Sequence, residues 1–145
     1  MSKSNACENS LLELLFKNTD FALVGDAAGL QNSAAAGNLY FSLHTADPGE
    51  AGTQTTSEIA YTSYARVAVA RSGAGFVVTA NSVSPAATVT FPAGSGGSGT
   101  ATHFGVGTDV SGAGVLLYSG TVTPNIVCGS GVTPALTTAT AITED

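Results

Sequence analysis

At 145 residues the chain has the common size of one domain, and the expectation is one compact core without a separate catalytic module. Charged residues make up 10% of it, against roughly a quarter in ordinary soluble domains, so a face of this protein is cheap to desolvate against another protein and the chain suits permanent assembly. The net charge of −6, with Lys3, Lys17, Arg66 and Arg71 scattered along the chain, argues against a nucleic-acid partner, and the apolar patch around residues 11–16 is interrupted by Glu13 and too short for a membrane span or signal peptide.

In chain order, the first predicted element is a helix over residues 10–17. Ser10 and Glu13 fit a capping box, and Leu11, Leu12, Leu14, Leu15 and Phe16 supply the apolar face. Residues 25–37 are mostly Ala, Gly, Asn and Asp, and read as a loop. With the helix they make an N-terminal segment, residues 1–37, that covers a sheet edge or serves as an arm. From Leu39 the pattern alternates: Leu39, Phe41 and Leu43 fall on one face and Tyr40, Ser42 and His44 on the other, as in a half-buried strand. Asp47-Pro48-Gly49 then turns the chain.

Further strand-like runs cover residues 64–70, 75–80, 87–91, 102–107 and 115–122, with a weaker one over 134–142. The Gly- and Ser-rich run from Gly94 to Gly99 is expected to be a flexible loop tip between two of them. Short strands rich in Val and Thr, with one helix, predict an all-β fold. A jelly roll or β-sandwich over residues 38–145, preceded by the short helix, forms a single β domain of residues 1–145.

The candidate chemistry is sparse. Gly94, Gly96 and Gly99 satisfy G-x-G-x-x-G, but the motif needs a helix N-terminus beyond it to receive a pyrophosphate, and Thr100 onward reads as strand. The two histidines, His44 and His103, stand near Asp47 and Asp109 in sequence, so a Ser-His-Asp arrangement is open by counting; no G-x-S-x-G elbow accompanies them. The simpler reading is that His44 hydrogen-bonds within its turn and His103 fills a polar slot beside a strand. Paired carboxylates would have to come from Asp47, Glu50, Glu58 or Asp109, all in turns.

Neither C-x-x-C nor H-E-x-x-H occurs, and Cys7 and Cys128 are expected as free thiols. Tyr40, Tyr61, Tyr64 and Tyr118 could make a binding patch or an interface, and Glu58 and Arg66 an ion pair across a turn. The expectation is therefore no catalytic residue, no cofactor and no metal.

Two segments carry a resemblance: LYFSLHTADPGEAGTQTTSEIAYTSYAR from Leu39 to Arg66, and ATHFGVGTDVSGAGVLLYSGTVTP ending at Pro124. Both resemble a family of small phage virion proteins labelled tail-fibre-like, in which L-x-L-H-T-A-D-P-G, G-T-Q, an acidic residue and Y-A-R precede H-F-G-x-G-T. In size the chain is also similar to the jelly-roll cement, or decoration, proteins that bind over capsid junctions, such as that of the Bordetella phage. The resemblance implies a non-enzymatic virion protein assembled in the host cytoplasm. In the cement reading its partner is the major capsid protein, which it bridges on the capsid surface as a homodimer or homotrimer. The alternative it leaves is a host-binding tail module using the loops at residues 47–56 and 94–100.

Overall fold

A computed structural model describes residues 2–145. The helix α1 spans Asn5–Lys17 and starts five residues before the predicted N-terminus, because Ser4, not Ser10, is its cap: the Cys7 N–H donates to the Ser4 side chain at 3.3 Å. Ser10 thus lies inside the helix, and Glu13 is used for an i,i+4 pair with Lys17 at 2.9 Å. Asn18 closes the helix in the left-handed conformation, φ 57°. Leu12 and Phe16 are fully buried, and the Phe16 ring meets Phe76 edge-on at 5.0 Å.

All remaining regular structure among the described residues is β. The strands are β1 (Asn38–His44), β2 (Val67–Ala70), β3 (Phe76–Thr79), β4 (Ser82–Pro85), β5 (Val89–Thr90), β6 (Ser98–Gly107), β7 (Leu116–Gly129), β8 (Ala135–Leu136) and β9 (Ile142–Thr143). They form sheets ordered β2-β1-β6-β7, β3-β4-β9 and β5-β8. The all-β sandwich class with one short N-terminal helix is the one the sequence predicts.

The chain divides into two compact units. One comprises residues 1–38, 69–88 and 137–145; the other comprises 39–68 and 89–136. In the first, α1 packs against β3 and β4, which form an antiparallel hairpin of register Phe76↔Pro85. Val83 of β4 pairs with Ile142 of β9. Arg71 ties the C-terminal end of the helix to this unit, donating to the carbonyls of Leu14 (2.8 Å), Leu15 (2.7 Å) and Ala36 (2.9 Å). It thereby meets carbonyl groups that a helix end leaves unpaired. Leu30, in the segment expected as a loop, forms an antiparallel bridge with Phe21, which precedes that segment.

In the second unit, β1 and β6 run antiparallel with Phe41↔Val106 and Leu43↔Phe104 in register. This places four apolar side chains on one face, where the Phe41 and Phe104 rings stack at 6.4 Å. The opposite face holds Ser42 and His44, in register with Gly105 and His103. The alternation of β1 is as predicted, but its polar face is not open to water: Ser42 and His44 are both 0% exposed. The excursion after His44 folds back over that face, and closes it.

β7 pairs with β6 along most of its length, with two breaks: Ala101↔Ile126 gives way to His103↔Thr121, so that four residues of β7 oppose one of β6, and between Val106↔Tyr118 and Gly107↔Leu116 the extra residue Leu117 makes a bulge. The 94–99 run is not a free loop tip. Thr62 and Gly96 form an antiparallel bridge, Gly94 N–H donates to the Val132 carbonyl at 2.8 Å, and Gly131 N–H donates back to Gly94 at 2.9 Å. A Cβ on Gly94 would lie 2.0 Å from the Gly129 carbonyl oxygen, so close backbone contact is what glycine permits there.

Candidate functional site

The residues that the sequence singles out converge on the excursion between β1 and β2. Asp47 accepts the Gly49 N–H at 2.9 Å, forming the expected turn. Thr53 and Thr56 brace the next turn, with Thr56 N–H donating to the Thr53 carbonyl at 3.0 Å. The chain then returns to where it left the sheet: Thr45 N–H donates to Ser57 (2.8 Å) and Ile59 N–H to Leu43 (2.9 Å). A loop whose ends meet in this way is closed at its base.

His44 stands at that base. Its Nδ1 lies 2.8 Å from the Thr56 carbonyl and its Nε2 2.8 Å from Ser42 Oγ. A carbonyl only accepts, so in the neutral ring Nδ1 carries the proton and Nε2 accepts from the Ser42 hydroxyl. Burial lowers the His44 pKa below its ordinary value, the Thr56 hydrogen bond opposing it. A serine on a neutral histidine imitates an activated nucleophile. Here both residues are fully buried, the orienting group is a carbonyl, and a Cβ on Gly105 would sit 2.6 Å from His44 Nε2, so the packing leaves no room for a substrate. Asp47 contributes nothing to the pair.

Around this base lies a clamp centred on Arg66, which is 8% exposed. Arg66 Nε and Nη2 donate to Glu58 Oε1 (2.7 Å) and Oε2 (2.8 Å), a bidentate pair. The same guanidinium donates from Nη1 to the Asp109 carbonyl at 2.9 Å and from Nη2 to the Gly112 carbonyl at 2.8 Å. Hydrogen bonding to Glu58 holds Arg66 firmly protonated. Tyr64 donates its hydroxyl to Glu58 at 2.9 Å and accepts Leu43 N–H at 3.1 Å, and burial pushes its phenol pKa up.

Gln54 completes the connection. Its backbone N–H donates to the Ala113 carbonyl at 2.9 Å and its Oε1 accepts Asp109 N–H at 2.9 Å, while its side-chain Nε2 is buried without a partner. The side chain lies over Gly107, where a Cβ would come within 2.2 Å of Gln54 Cδ. The G-T-Q glutamine, the acidic residue and the Y-A-R arginine are therefore parts of one polar network that fixes the 45–58 excursion to the 108–115 loop, while His44 holds the base of the excursion through the Thr56 carbonyl.

The other sequence candidates are dispersed. His103 is half-buried with Nδ1 2.9 Å from Thr102 Oγ1, and Asp109 accepts from the Thr108 hydroxyl at 2.7 Å instead of meeting His103. Tyr61 and Tyr64 do meet, edge-on at 5.4 Å, but inside the unit, where Tyr64 stacks on Phe91 and Tyr61 donates to the Pro92 carbonyl. Gly99 lies in β6, so a strand and not a helix follows the glycine motif. Both cysteines are free, and burial raises the Cys128 thiol pKa. Among the described residues no cluster of His, Cys, Asp or Glu could hold a metal ion, and no helix is long and apolar enough to cross a membrane.

Sequence reasoning did not find an open groove of about 340 Å3 between the turn at residues 47–52 and residues 116–119 of β7. Asp47 and Glu50 stand on one wall, and Tyr118 on the other. The DPGE turn was legible; that the chain carries it to β7 is a tertiary fact.

Two outcomes follow from this geometry. Arg66→Lys keeps the charge but cannot span two carboxylate oxygens and two carbonyls, and should lower unfolding free energy by about 2 kcal/mol, with Glu58→Gln costing about 3 kcal/mol because it leaves the guanidinium buried without its counter-charge. Urea denaturation measures both. For His44, the unfolded chain takes up a proton near pH 6.5 that the folded state resists. Stability is then full above about pH 6.5 and drains as pH falls below it, through the window down to the lowered folded pKa. Urea midpoints measured downward from neutral pH should fall less steeply in His44→Gln than in the unaltered protein.

A family model described as podophage GP4 fiber I protein gp80 matches residues 2–142. No curated protein matches the chain. The match spans both resembling segments as well as the N-terminal helix and the residues after Pro124, so the chain belongs to the podophage GP4 fiber I protein gp80 family, and is a structural protein of a phage virion.

Proposed function

We propose that this protein is a rigid, non-catalytic subunit of the phage fibre apparatus, acting through the surfaces it holds in place. The observation that carries this reading is the Arg66 clamp: the polar residues that could have made an active site are consumed in fixing two loops to a sheet. The family description, a fibre protein, supports the fibre over other virion locations. Rigid loops are also what a receptor-contacting or assembly-contacting module needs, since little ordering entropy is then lost on binding.

A second reading, the capsid cement role, is favoured by a different observation. No residue between Asp109 and Glu144 carries a charge, and that span includes the whole of β7. An uncharged surface is suited to dry, permanent contact, as in a shell protein that bridges major capsid subunits as a homodimer or homotrimer.

Copy number separates the two. Quantitative mass spectrometry of purified virions should find roughly a few dozen copies or fewer per particle, a number set by the tail's low-order symmetry, and cryo-electron microscopy should place them at the tail. Hundreds of copies over the head would replace the fibre reading with the cement one.

A further inference from the structure

Residues 45–57 of the excursion are held by hydrogen bonds and not by apolar packing. They include no apolar side chain larger than Pro48, so little burial opposes their opening. The ties that close them are polar. Thr45 donates to the Ser57 carbonyl from its backbone N–H (2.8 Å) and from its hydroxyl (3.1 Å). Gln54 donates its backbone N–H to the Ala113 carbonyl and accepts Asp109 N–H, and His44 Nδ1 meets the Thr56 carbonyl at 2.8 Å. Of the side chains in these ties, the imidazole of His44 is the one that titrates.

The closed excursion also carries two unfavourable features that opening relieves. Ser57 is held at φ 54°, in the left-handed region that residues other than glycine seldom adopt. Gln54 Nε2 is buried without a partner. Ser57 lies directly before Glu58, which Arg66 and Tyr64 hold in place. A change of backbone angle at Ser57 therefore frees the residues before it and leaves the ion pair intact.

The groups around His44 leave an added charge unmatched. Proton uptake at Nε2 keeps the hydrogen bonds, since Ser42 Oγ can turn from donor to acceptor, so the cost lies in the charge. Glu58, across the backbone bridge from His44, is the acid that favours it, but its carboxylate oxygens are taken by Arg66 and Tyr64. Arg66 opposes it, as does His103, in register with His44 on β6. Thr121, in register with His103 on β7, carries no charge. Because His44 is 0% exposed, opening the excursion is how water reaches an imidazolium there. We propose that residues 45–57 form an acid-released flap, hinged at Ser57, which His44 latches shut when neutral and lets go when protonated. The latch is then full above about pH 6.5, and each pH unit below favours the open form by up to about tenfold, until the lowered pKa of the closed form is reached. The device goes beyond the assembly reading above and holds for fibre and shell alike.

Native-state hydrogen exchange of the full-length isotope-labelled protein tests this, with each rate divided by the intrinsic rate at the same pH. From about pH 7.5 to about pH 5.5 the protection of the Thr45 and Gln54 amides should fall by up to about tenfold, the limit for one proton over that range. The Phe76 and Ala86 amides, which donate to Ser72 and Gly75 in the other unit, should keep theirs. His44→Gln should remove the fall, and His103→Gln should retain it. Should His44→Gln not fold, the ring nitrogens of His44 in the unaltered protein give a second reading: at about pH 7.5 they should show the neutral form with the proton on Nδ1. A charged ring at that pH overturns the proposal. So does unchanged protection at Thr45 and Gln54, or an equal loss at Phe76 and Ala86, which is unfolding of the whole chain and not release of a flap. A fall that persists in His44→Gln, or vanishes in His103→Gln, places the proton elsewhere and overturns it too. None of these results bears on the copy number that tests the virion location.

Discussion

The second unit depends on one buried ion pair. Glu58 and Arg66 are eight residues apart, and their bidentate contact is nearly sealed from solvent, the Arg66 side chain being 3% exposed. Burying two charges costs several kcal/mol unless every hydrogen-bonding group is met. Here they are: the carboxylate also takes the Tyr64 hydroxyl, and the guanidinium also takes the carbonyls of Asp109 and Gly112. Those two carbonyls lie far away in sequence, so the requirement to satisfy one arginine determines where the 108–115 loop must lie. Gln54 then repeats the connection from the opposite side, and glycines at 105 and 107 leave the space into which His44, Ser42 and Gln54 fit.

The same closure covers the Ser42-His44 pair, which the sequence offers as a candidate site. The Ser42-His44 contact has the distance of a catalytic pair, and burial lowers the pKa of the ring. Catalysis would further require a substrate to reach the hydroxyl, and the excursion closed by Thr45 and Ile59 lies over it. The pair is better understood as the means by which a polar strand face is buried without an unmet donor or acceptor.

Much of the architecture was legible because it is written in local patterns. The period of two in residues 39–44 gives β1, Asp47-Pro48-Gly49 gives its turn, and the Glu58 and Arg66 pairing follows from proximity in sequence. What was not legible is what tertiary closure decides. The helix was expected to begin at Ser10, but its cap is Ser4 and it packs on β3 and β4. β4, with the sequence SVSP, offers one apolar side chain of strand type and is formed by its hairpin partner. The 94–99 glycines look flexible by composition, yet Thr62 and Val132 bind them from positions far along the chain. In the same way alternation gives β1 as a half-buried strand, and the loop that also buries Ser42 and His44 follows a path no local rule encodes.

The central claim is that the motif from His44 to Arg66 is a clamp that makes two loops cooperative. Amide hydrogen exchange in the native protein tests it most directly, comparing the unaltered chain with Glu58→Gln under conditions where both remain folded. The amides of Thr45, Gln54 and Asp109 report the three closures, since each donates to a partner on or across the excursion. If the clamp is what joins the loops, all three lose protection together and by a similar factor in Glu58→Gln. If Asp109 keeps its protection while Thr45 loses its own, the loops are held independently and the account is wrong.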